Sequence, residues 1–145
     1  MPSQVFTHEA TTEAPVDAVW DRLDQPNTWE AIGGVDRVFD PQVDNEGRLL
    51  GFSFDTHAAG RKYVGTASPH ERVEGKRMAW RVQNSEVKGI ARVTLNPRGS
   101  GSVITVTLRV ESVGMLSSVL FPLIASAIGS GLANSVDSFA DSFES

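Results

Sequence analysis

The 145-residue chain contains no cysteine, which excludes disulfides, thiolate metal sites and a cysteine nucleophile. Its three histidines are scattered and make poor metal ligands on their own, so neither a metal nor any other cofactor is expected. The opening segment MPSQVFTHEATTEA lacks a basic start followed by an apolar run; no secretory signal is read there, and a cytoplasmic location is expected by default. Lys and Arg are missing after Arg109, and no charge of either sign occurs in the 25 residues from Ser112 to Val136. That run is long enough to span a bilayer. Its composition argues otherwise: Gly114, Pro122, Gly129, Gly131, Asn134 and several serines dilute it, and its flanks, Glu111 and Asp137, are acidic. The run is expected to cover a sheet, with no stable membrane insertion.

What is present describes one ordinary domain spanning residues 1–145, since this length supports one well-buried core and not two. A net charge of -5 argues against nucleic acid as a partner. The charge is unevenly spread. Between Gly60 and Arg109 ten basic residues face three acidic ones, a local +7 that leaves -12 on the rest of the chain.

Residues 5–12 are rich in β-formers and read as a first strand. Pro15 then opens a short amphipathic helix whose apolar stripe is Val16, Val19, Trp20 and Leu23, with Trp20 serving packing. Pro26 begins a second helix, ended by Gly33-Gly34. From Val35 onward, turn chemistry in DPQVDNEG, HAAG, VEG, NS and NPRGSG delimits strands near 35–40, 48–57, 61–72, 76–83, 86–96 and 101–112. Connections this short make neighbours antiparallel.

Alternation assigns the faces of the last three strands. Met78, Trp80, Val82, Val87, Ala91, Val93, Leu95, Ile104, Val106, Leu108 and Val110 share an apolar side, and Arg77, Arg81, Lys88, Arg92 and Arg109 share the other. A one-sided sheet needs a cover. The remaining segment, about 115–143, has helical spacing from Leu116 to Phe143, with Asp137, Asp141 and Glu144 on other faces. Pro122 either lies in the first turn of this helix or kinks it.

Trp29, Phe52, Phe54, Tyr63 and Trp80 are candidates to line a cavity together with Leu120, Leu123, Ile124 and Ile128 of that helix. His8 shares its parity with Phe6 and Ala10, which makes it, with Tyr63, a candidate proton-transfer group. His57 and His70 read as rim residues at strand ends. Asp55, opposite in parity to Phe52 and Phe54, is expected to face water. GSGL at 129–132 is too short to cradle phosphate, and no nucleophile is identified.

The strand, the two short helices of APVDAVWDRLDQPNTWEAIGGVDRV, the six-strand meander, Glu46-Gly47 before the third strand and the GMLSSVLFPLIASAI opening of the last helix together resemble the START-like, SRPBCC helix-grip superfamily, in particular its polyketide cyclase/dehydrase and lipid-transport branch. The resemblance implies an α+β fold in which a curved seven-stranded antiparallel sheet wraps a long C-terminal helix, with two short helices after strand 1. It also implies an apolar tunnel for a lipid, sterol or polyketide-like molecule.

Three functions follow as expectations. The first is binding or carriage of a small hydrophobic ligand between sheet and helix. The second is a cyclase/dehydratase-type enzyme using His8 or Tyr63. The third is an interaction module whose basic face, Arg77, Arg81, Lys88, Arg92 and Arg109, meets an anionic partner or lipid surface.

Overall fold

The computed structural model describes residues 3–33, 35–58, 60–84, 87–113 and 131–143. Strand β1 (Ser3–Thr12) is followed by helices α1 (Val16–Arg22) and α2 (Pro26–Gly33). The meander β2 (Arg37–Val43), β3 (Leu49–Ala58), β4 (Arg61–Val73), β5 (Arg77–Gln83), β6 (Val87–Arg98) and β7 (Gly101–Ser112) comes next, and α3 (Leu132–Asp141) is the last described helix. The strands form one antiparallel sheet in the order β1-β7-β6-β5-β4-β3-β2. This is the expected α+β, helix-grip arrangement, a curved sheet with two short helices after β1 and a helix at the C-terminal end. The apolar run and its candidates Leu120, Leu123, Ile124 and Ile128, together with Pro122, lie outside the described residues. Among the described residues no helix is long and apolar enough to cross a membrane.

Pro15 precedes α1 in an extended conformation and supplies the carbonyl that accepts the N–H groups of Ala18 and Val19, at 3.0 and 3.2 Å. Its own missing N–H is not needed there. Val19, Trp20 and Leu23 are buried as the stripe requires, and Thr28, Trp29 and Ile32 are the buried face of α2. In α3 the buried residues are Leu132, Val136, Phe139 and Ala140, spaced as one helix face. Three contacts seat it. His8 Nε2 lies 2.8 Å from Asp137 Oδ1, Arg22 Nη1 donates to Ser142 Oγ at 3.0 Å, and the Arg22 guanidinium lies over Phe139 and Phe143.

Register confirms one apolar face. Trp80 stands opposite Ala91, Ala91 opposite Leu108 and Leu108 opposite Phe6, a rung across four strands. The neighbouring rung is Met78, Val93, Val106 and His8. On the other face the basic stripe is matched by acids. Glu71 Oε1 lies 3.4 Å from Arg77 and 3.2 Å from Arg92, Glu111 lies 3.8 Å from Lys88 and 3.3 Å from Arg109, and Arg81 Nε donates to His70 Nδ1 at 3.2 Å.

The end of β2 differs from the sequence reading. β2 continues through Asp40-Pro41 to Val43, with register shifts between Phe39 and Val43 and Asp40 at φ 50. A proline is tolerated here because β2 is an edge strand, where a missing donor interrupts no second ladder. Pro69 in β4 is accommodated similarly: the β3 pairing stops at Ala67, and the β5 pairing shifts between Pro69 and Glu71. Gly75, at φ 75, supplies the left-handed turn residue between β4 and β5.

Asp55 is a correction. It was expected to face water, yet it is only 5% exposed. Arg37 of β2 is its cross-strand partner, with Nη2 3.0 Å from Oδ2, and Lys62 of β4 reaches to 3.6 Å of the same oxygen. Strand parity placed Asp55 on the outer face correctly. Two long cationic side chains then cover it.

Candidate functional site

A cavity of about 200 Å³ opens between the sheet and the helical layer. Among the described residues its walls come from α2 (Trp29, Gly33), β3 (Phe52, Phe54, Thr56, His57), β5 (Trp80, Val82, Gln83), β6 (Val87, Lys88, Ala91) and β7 (Leu108, Val110), with Val35, Asp36, Asn84 and Gly131 beside them. The deep part is aromatic. Trp80 meets Trp29 at 5.8 Å between ring centroids with planes at 83°, and Phe52 at 5.4 Å and 70°; Trp29 and Phe52 stack at 6.5 Å. Perpendicular pairs of this kind place a positive ring edge on a negative ring face, which orients the rings beyond what burial alone achieves.

Trp29 and Phe54 have local reasons for their positions. Trp29 donates its indole N–H to the Leu23 carbonyl at 2.7 Å, which locks α2 to the end of α1. Phe54 lies across from Gly65, and a Cβ at Gly65 would come within 2.5 Å of its ring. Glycine at that position therefore leaves the ring its place. Glu30 accepts the Val38 N–H at 2.9 Å and fastens α2 to the first strand of the meander.

Polar groups gather toward the mouth. Asp36 Oδ2 is bonded to His57 Nδ1, and both side chains are largely exposed. Asn84 turns β5 into β6 by accepting the Val87 N–H through its Oδ1 at 2.8 Å. Among the described residues no group of three His, Asp or Glu side chains is placed to hold a metal ion.

Of the sequence candidates, Trp29, Phe52, Phe54 and Trp80 come together on this cavity. Tyr63 is buried at 6% exposure, opposite Thr56 on the same sheet face, and is not among the lining residues. His8 points with Phe6 and Ala10, as parity indicated, and theirs is the inner face, but its ring is engaged with Asp137 and it does not line the cavity. His57 is at the rim, as its strand-end position suggested, and His70 sits at the β4 bulge, away from this cavity. Sequence reasoning had placed Val82, Val87, Ala91, Leu108 and Val110 on the correct face without naming them as cavity residues. Asp36, Gln83 and Asn84 were missed, because they belong to strand ends and turns whose positions only the folded sheet defines.

A second pocket of about 150 Å³ lies beyond Trp80, bordered by Asp44, Arg48, Glu71, Arg72 and Met78 among others. Its charges are largely committed to one another. Asp44 accepts from the backbone N–H and side chain of Arg48, and these bonds hold its carboxyl below the usual range. Arg72 donates to both oxygens of Asp24, at 2.8 and 2.9 Å, and to Glu74 at 2.6 Å. Glu74 also accepts the Trp20 indole N–H at 3.0 Å.

A curved seven-stranded antiparallel sheet with two short helices after its first strand and a helix at its C-terminal end is the START-like, helix-grip arrangement. The chain belongs to the family described as polyketide cyclase / dehydrase and lipid transport, whose pattern matches residues 3–144. No curated protein sequence matches the chain. Similar solved structures share the fold at low identity. A START superfamily protein from Mycobacterium smegmatis is 14% identical with a TM-score of 0.73, covering 96% of this chain and 98% of its own. The Zhui aromatase/cyclase from a Streptomyces species is 13% identical with a TM-score of 0.75, covering 99% and 97%. A major latex-like protein from Panax ginseng is 11% identical with a TM-score of 0.57, covering 86% and 93%.

Proposed function

We propose that this protein binds or carries a small hydrophobic molecule, of lipid, sterol or polyketide-like character, in the cavity between the sheet and the C-terminal helical layer. The observation that carries the reading is the wall itself: Trp29, Phe52, Phe54, Trp80, Val82, Leu108 and Val110 around about 200 Å³ of space, with polar groups at the mouth. Burying apolar ligand surface there is favourable by about 25 cal/mol per Å² before ordering costs. Ligand pockets commonly have this make-up, an apolar body with a few fixed polar groups. Family membership supports the same reading.

The test is a substitution that fills the space without charge. Ala91 lines the cavity between Trp80 and Leu108. Ala91→Phe is expected to abolish uptake of a hydrophobic fluorescent probe and of any lipid that co-purifies, with an unchanged circular dichroism spectrum. Undiminished binding by a folded variant would remove the cavity from the reading.

One observation favours an enzymatic version. The bonded His57 and Asp36 line the mouth, where an imidazole oriented by a carboxylate can exchange protons with a bound carbonyl compound. Turnover of such a compound that survives His57→Ala would exclude this pair.

A further inference from the structure

The three tryptophans are treated differently by the fold. Trp20 donates its indole N–H to Glu74 and Trp29 donates to the Leu23 carbonyl. Trp80 is 2% exposed, and its Nε1 is buried with no acceptor among the described residues. Nor do the polar groups on either side supply one. At the cavity mouth Asp36 and His57 bond each other, and in the second pocket Asp44, Glu71 and Arg72 are held by Arg48, Arg92 and Asp24. A buried donor left unmade is costly, and native folds rarely keep one without a reason.

We propose that the missing acceptor is an oxygen on the cavity's ligand, so that Trp80 selects rigid hydrophobic molecules bearing a carbonyl over the same skeleton without it. This rests on the cavity-binding reading and narrows it to a ligand class. The physics gives the preference a sign. A ketone must shed its hydrogen bonds to water on entering an apolar cavity, so a wall with no donor favours the hydrocarbon. A wall with a buried, unmet donor reverses that order, because ligand and protein then satisfy each other. Phe52 and Trp29, packed against the Trp80 ring, restrict its rotation and fix where the oxygen must lie.

Fluorene and fluorenone form the test pair, alike in shape and differing by a methylene in place of a carbonyl. Equilibrium dialysis of the full chain is expected to show fluorenone bound about tenfold or more tightly than fluorene. Trp80→Phe, checked for folding by circular dichroism, is expected to erase or invert that ratio. Without any substitution, one of the three indole N–H resonances is expected to move downfield with fluorenone and not with fluorene. Binding of both probes with equal affinity, or with fluorene preferred, overturns the role of Trp80 and leaves the cavity reading standing. Binding of neither overturns both.

Discussion

Trp80 and Phe52 meet edge to face, their ring centroids 5.4 Å apart and their planes at 70°. Both line the cavity, so its shape and the stability of the sheet depend on the same rings. Phe52→Ala is expected to cost about 3–5 kcal/mol, the usual range for deleting a buried aromatic. Phe52→Leu should retain most of that stability while altering which ligands fit. Urea unfolding of the two variants distinguishes these effects, and equal loss in both would contradict the packing described.

The Arg72 fork on Asp24 joins the α1–α2 junction to β4, and Asp24 also accepts the Leu49 N–H at 3.1 Å. Burial pushes the Asp24 pKa upward, but the bonds and charge of Arg72 together with the Leu49 N–H outweigh it, and the carboxyl is held below its ordinary range. Asp24→Asn is expected to cost about 2 kcal/mol at neutral pH, as for hydrogen bonds to charged groups.

The same depressed pKa sets a pH window. An acid whose pKa is lower in the folded state binds fewer protons than the unfolded chain, so its stabilisation is present above the unfolded value of about 4 and is lost as pH falls through the folded value. The stability gap between wild type and Asp24→Asn should therefore narrow below about pH 4. A gap of constant size on acid titration would assign Asp24 a role other than its charge.

Gly65 makes room for Phe54. A Cβ there would stand 2.5 Å from the Phe54 ring and 2.8 Å from the Gln83 carbonyl oxygen. Moving the ring toward the cavity relieves the first contact, while the second requires the neighbouring β5 backbone to shift. Gly65→Ala is expected to lower the melting temperature and weaken hydrophobic-probe binding together. The double variant Gly65→Ala, Phe54→Leu should recover part of both, and failure to recover either would separate the glycine from the ring.

Glu71 stands between Arg77 and Arg92, and Glu111 between Lys88 and Arg109. These pairs are partly solvent-exposed, so Glu71→Gln should change stability by less than about 1 kcal/mol. Its larger effect is on the surface field, which loses a balancing charge. Anionic vesicles are expected to retain Glu71→Gln more than wild type, with the difference vanishing at high salt. Strong, salt-sensitive retention of the wild type itself would show that the stripe already serves an anionic partner.

Local chemistry in the sequence determined the sheet. Turn residues at Gly75, Asn84 and Gly99 cut the meander, alternation from Met78 to Val110 assigned its faces, and Pro15 and Pro26 marked the short helices. These features are written in neighbouring residues, because φ preferences and side-chain alternation act over two to four positions. Only the tertiary structure decided where those faces meet. It buried Asp55 under Arg37 and Lys62, tied His8 to Asp137, and paired Asp36 with His57 at the cavity mouth. It also left the Trp80 N–H without an acceptor among the described residues while satisfying those of Trp20 and Trp29. The Arg37–Asp55 and His8–Asp137 contacts join residues 18 and 129 positions apart, a separation that no local pattern encodes.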